Sequence, residues 1–164
     1  MKPEPRKKRR EFSITHKDEP MAALVNETDK KTLAIWAVDC AERVLHFFEE
    51  DYPDDPRPRN ALEACRAWIT PGVFRMADIR KAALAAHAAA REAGKDTAAR
   101  SAARAAGQAV ATAHVPAHSL GAARYALQAV FRSTDPPDAD AAIAVERDWQ
   151  YRQLLELKGR FPEK

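Results

Sequence analysis

From Ala82 to Ala90 the chain reads AALAAHAAA, and from Ala105 to Ala123 it carries no Asp, Glu, Lys or Arg. Alanine is the strongest helix former, and its side chain is too small to fill space unaided. Such stretches bury surface only as helices whose axes run close together. A helix apolar on every side is expected to be enclosed, so these two segments are placed at the centre of a bundle. Only five glycines occur in the 164 residues, and no β-branched run alternates with polar residues. The expectation is an all-α fold: a compact single-domain bundle of about six helices with Ala-rich helices at its centre.

Punctuation divides the chain. Asn26 or Thr28 can cap a first long helix to about Glu50, whose Leu33, Trp36, Ala37, Cys40, Val44, Phe47 and Phe48 form one apolar stripe. A second helix is expected from about Pro58 to Ile69, and a third from about Ala77 to Gly94. A fourth, capped by Asp96 or Thr97, runs to about His114. A fifth opens near Pro116 and continues to about Arg132. A last helix begins at Asp138 or Asp140 and carries Ile143, Trp149, Leu154 and Leu155. The first, second and last helices are expected to cover the alanine-rich ones. Residues 1–25 read as a flexible basic tail and 26–160 as one domain.

Charge is unevenly placed. Residues 1–20 hold seven of the 27 basic and four of the 24 acidic side chains, so the rest carries 20 of each sign. The body is therefore no nucleic-acid surface by bulk charge, and any such contact is confined to the tail, residues 1–12. No apolar segment follows that tail, so it does not read as a secretory signal. The uncharged stretch after Arg104 has the length of a membrane span but is mostly alanine, with Gln108, His114 and His118 among it. It reads as a buried helix pair in a soluble protein. Cys40 and Cys65, among apolar neighbours, read as reduced core residues of a cytosolic protein.

The stretch DYPDDPRPRNALEACRAW, residues 51–68, concentrates acids, prolines and arginines. As a calcium loop counted from Asp51 it fails, with Pro56 at the sixth position and Leu62 at the twelfth. As a corner it is coherent: Pro53 stops one helix, Pro56 and Pro58 stiffen the turn, and an Asp precedes the next helix. Arg57 and Arg59 are left to pair with acids such as Asp39, Glu42 or Asp55. The corner reads either as structural or as a partner-contact surface. His87, His114 and His118 lie in the apolar centre, with Arg80, Leu84, His87 and Arg91 on one helical face. They read as hydrogen-bonded core histidines. Pro116 separates His114 from His118, which breaks a rigid metal pair, and no phosphate loop, nucleophile elbow or HExxH motif occurs. No metal, cofactor or catalytic residue is assigned. The alternative in another class is a metal-binding or hydrolytic bundle using these histidines.

LAIWAVDCAERVLHFFEEDYPDDPRPRNALEACRAW, followed by RKAALAAHAAAREAG and AARSAARAAGQAVATAHVPAHSLGAARYALQAV, resembles an all-helical family of immunity proteins of bacterial polymorphic toxin systems. The resemblance covers about residues 33–131, leaving 1–25 and 135–164 outside the shared pattern. It implies a cytoplasmic protein, not an enzyme, that binds and blocks a cognate toxin encoded beside it, with no membrane partner. The polar residues it carries over are Asp39, Asp55, Arg57, Arg59, His87, Arg91, His114 and His118. Together with Arg80 they form the candidate cluster, as fold-holding groups or as partner contacts.

Overall fold

Asp29 starts the longest apolar stripe of the chain. Its carboxylate accepts the Thr32 amide at 3.4 Å, and the helix that follows, α2, runs Lys30–Asp51. In the computed structural model, which describes residues 10–14, 17–70 and 75–161, a further helix, α1, precedes it over Glu19–Asn26. After α2 come α3 (Arg57–Ile69), α4 (Met76–Glu92), α5 (Ala98–Ala111), α6 (His118–Ser133), a 3-10 turn at Pro136–Asp138, and α7 (Ala139–Arg160). Among the described residues there is no strand, and the fold is all-helical as expected, with one helix more than the sequence suggested. None of its helices is long and apolar enough to cross a membrane.

The extra element is α1. Residues 1–25 read as a tail, yet 19–25 belong to this helix, and Met21, Leu24 and Val25 are buried. Asp18 caps it by accepting the Met21 amide, and the same carboxylate takes a two-pronged contact from Arg147 of α7 at 2.7 and 3.0 Å. Ahead of it, Arg10 reaches Asp140, and the Phe12 ring lies 5.8 Å from that of Phe131. The segment 1–9, with most of the basic run, lies outside the described residues.

The centre is α5. It packs against α2, α3, α4 and α6. Ala102, Ala103, Ala105, Ala106 and Ala109 are all fully buried, because a surface of methyl groups lets four neighbours approach at once. Bulk comes from α2, whose Leu33, Trp36, Val44, Leu45 and Phe48 are at most 1% exposed. So α2 belongs to the core and does not merely cover it.

The same expectation fails for α4. Leu84 is 69% exposed and Met76 is 37% exposed. This helix buries one face, through Ile79, Ala86, Ala89 and Ala90, against α3 and α5. The lack of charge from Ala82 to Ala90 reflects helix propensity, since an alanine left in water costs little.

The last helix also departs from its reading. Along α7 the buried positions are Ala139, Glu146, Gln150, Leu154 and Leu157, while Leu155 is half exposed. Two polar side chains thus occupy the inward stripe. Arg43 of α2 donates to both oxygens of Glu146 at 2.7 and 2.9 Å and lies 4.0 Å from the centre of the Trp149 ring. The indole of Trp36 donates to the Gln150 carbonyl at 2.8 Å, and the Gln150 amide donates to Ala123 of α6. Cys40 and Cys65 are fully buried free thiols, both raised by burial, Cys65 to about 12.

Candidate functional site

The residues singled out in the sequence fall into two groups in space. The first is the corner between α2 and α3. Tyr52 ends α2, and Asp55 accepts the Arg57 amide at 3.1 Å, which seats the first turn of α3. The Arg57 guanidinium returns to Asp55 at 2.9 and 2.7 Å and reaches Glu92 at the end of α4. Arg59 forks between Glu49 and Glu42 of α2, with its closest contact to each at 2.6 Å. Arg66 adds a 3.2 Å contact to Glu42 and one at 2.7 Å to Glu63.

Asp55 is held below the usual carboxylate range, first by its bonds from Arg57. Burial pushes Glu42 upward, but Arg59 and Arg66 more than offset it and hold it low. Each of the three arginines at this corner has its counter-charge within the fold. Of the three acids expected to receive these arginines, Glu42 and Asp55 do. Asp39 does not: it accepts the Gln153 amide of α7 at 2.9 Å, and burial raises it while that bond opposes the rise.

The second group lies where α4, α5 and α6 meet. Arg104 of α5 donates to Nδ1 of His87 on α4 at 2.9 Å, so that nitrogen carries a lone pair and the ring is neutral. The imidazole lies on the α5 backbone at Gly107, where a Cβ would sit 2.7 Å from Nε2. Glycine is required here by that approach. On α6, His118 Nδ1 donates to the Gln108 side-chain oxygen at 2.8 Å, and Gly121 makes room for that amide.

His87 is lowered to about 4, first by burial and then by the charges of Arg104, Arg91 and His118. His118 is lowered as well, by burial and then by His114. His114 itself is exposed, as are Arg80 and Arg91. The expectation of three core histidines therefore holds for none in full: His87 and His118 are half-buried and hydrogen-bonded, and His114 is outside. Pro116 explains the last point, because α5 ends at Ala111 and α6 begins only at His118. Arg100 closes this side by donating to the carbonyls of Arg91 and Ala93, which satisfies the end of α4.

A third feature was not visible in the sequence. A groove of about 890 Å³ runs between the N-terminal segment and α6 and α7, lined by Phe12, Leu120, Leu127, Phe131 and Ile143 with Arg124 at its side. Among the described residues no group of three or more His, Cys, Asp or Glu is placed to hold a metal ion. The arrangement is one of ion pairs, neutral imidazoles and helix faces, suited to presenting a shaped surface.

With that geometry in place, the match to a family model is decisive. The model for the Imm-5 like putative immunity protein matches residues 23–157. The chain belongs to that family. Its match begins inside α1 and ends near the close of α7, so the Imm-5 like region takes in the second half of the N-terminal helix and the 135–157 segment that the sequence pattern had left outside. No curated protein matches the chain, and no solved structure does. An immunity role and a toxin of some kind as partner follow from the Imm-5 like assignment.

Proposed function

We propose that the protein neutralises a cognate toxin by binding it stoichiometrically in the cytoplasm of the bacterium that encodes both, as part of a polymorphic toxin system, with no chemistry of its own. The observation that carries this reading is the family match across 23–157. Supporting it, the arginines of the corner are committed to ion pairs inside the fold, which suits a rigid scaffold. The alternative using the histidines draws no support from their placement. His87 Nδ1 is occupied by Arg104, His118 faces Gln108, and His114 is apart in solvent.

The test is co-expression with the toxin domain encoded beside the gene. Rescue of growth, with a 1:1 complex in light scattering, is the expected result. Continued toxicity in the presence of the folded, full-length protein would refute the assignment.

A further inference from the structure

The arginines of this protein divide into two sets. Arg43, Arg57, Arg59, Arg66 and Arg147 each reach a carboxylate of the fold. Arg75, Arg80, Arg91, Arg100, Arg104, Arg124 and Arg152 reach none among the described residues, Arg100 and Arg152 being bonded to backbone carbonyls instead. Three of them, Arg80, Arg91 and Arg104, are gathered. Arg80, Leu84, His87 and Arg91 project from α4 within an arc of about 60°, and Arg104 touches His87 from α5. The acids of α4, Asp78 and Glu92, project outside that arc, and Glu92 is engaged by Arg57. No Asp or Glu occurs between Asp96 and Asp135, so α5, α6 and the turn joining them add cations and histidines only.

Gathering like charges without a counter-charge works against folding, and His87 registers it: Arg104 and Arg91 both press its ring toward neutrality after burial does. At the middle of the arc sits Leu84, 69% exposed, the most exposed large apolar residue of the described chain. An apolar centre flanked along α4 by guanidinium groups that have no carboxylate partner has the anatomy of a protein-binding face. The arc from Arg80 to Arg91 is only about 16 Å long, too short to follow a nucleic-acid backbone through many phosphates, and the body beyond residue 20 is neutral.

We propose that the α4–α5–α6 face, centred on Leu84 and bordered by Arg80, Arg91 and Arg104, is where the protein docks, and that it fits an acidic surface on its partner protein. This rests on the reading as an immunity protein and names the side of it that does the work. The partner's carboxylates supply the counter-charges that the fold withholds here, while the corner at Arg57 and Arg59, already neutralised internally, stays out of the contact. His114 and His118 extend the same face along the α5–α6 turn.

The test measures binding of the full chain to the toxin domain encoded beside the gene, for the unaltered protein, for Arg80→Glu, for Arg80→Glu/Arg91→Glu, for Leu84→Ser, and for Arg152→Glu on α7 as a control matched in charge to the single reversal. Arg80, Leu84 and Arg91 are exposed, so their variants are expected to fold, and thermal melts verify this. Expected are a loss of about 100-fold or more for the double reversal, about tenfold for Leu84→Ser, and none for the control. The affinity of the unaltered protein should weaken as salt rises. Unaltered binding by the double reversal would overturn the docking face while leaving the immunity role intact. No binding by the unaltered protein would overturn both. Duplex DNA bound by the unaltered chain and lost in the double reversal would make the face a nucleic-acid site, and would also overturn the proposal.

Discussion

His87 ties the stability of the bundle to pH in a direction that the geometry dictates. Its Nδ1 accepts from Arg104, and its ordinary value of 6.5 falls to about 4 in the fold. Protonation would remove the acceptor and set two cations 2.9 Å apart at a half-buried site. Because the folded value lies below the unfolded one, this contribution to stability is complete above about pH 6.5 and is lost as pH falls toward 4. Linkage between the two values caps the loss at about 2 kcal/mol at pH 5, and solvent screening at a half-buried ring brings it to about 1 kcal/mol. The comparison is with His87→Gln, whose amide oxygen can accept from Arg104 but does not titrate. Carboxylates held low, such as Asp55 and Glu42, and the depressed His118 remain in both proteins and cancel in the difference. Urea unfolding at about pH 7.5 and pH 5 should show the unaltered protein losing about 1 kcal/mol more than the variant. Nitrogen NMR should place the proton on Nε2. Equal losses in the two proteins, or a His87 titration near its ordinary value, would refute the reasoning.

Arg59→Ala strands two acids of α2 at a half-exposed site, so a loss of about 1 kcal/mol and a drop in melting temperature of about 2–4 °C are expected, read by calorimetry. Asp18→Ala removes both the cap of α1 and the Arg147 contact, costing about 1–2 kcal/mol, with faster amide exchange concentrated in residues 19–26. Neither Cys40 nor Cys65 should react with a thiol reagent until the protein unfolds, since both are fully buried and held as thiols; a fast phase in the native state would contradict that burial.

Helices α3, α5 and α6 were legible to within about two residues because caps, prolines and alanine runs act locally. The corner pairing was legible too, since Arg57 and Arg59 stand among acids one or two turns away. What stayed hidden depends on partners distant in the chain. α1 has only 8 residues and opens with Pro20 beside a charge run, so it holds through Met21, Leu24 and Val25 meeting the body, which no local pattern reveals. Glu146 and Gln150 face inward on α7 because Arg43, more than a hundred residues earlier, takes the Glu146 carboxylate and the Ala123 carbonyl of α6 takes the Gln150 amide. Leu84 illustrates the opposite error. The uncharged segment from Ala82 to Ala90 suggested enclosure, but period and charge say nothing about how many neighbours a helix has.

The methyl-lined α5 has a consequence for how this chain can change over evolutionary time. Replacing Ala102 or Ala106 by valine adds two methyl groups where four helices already meet, at about 1–3 kcal/mol each, so most such variants would be purged. Replacing Arg80, Leu84 or Arg91 moves no helix axis. The interior therefore behaves as a frozen chassis and the α4 rim as interchangeable bodywork. A lineage facing a succession of adversaries can retool its outer helix one residue at a time while the hub that keeps it folded stays the same.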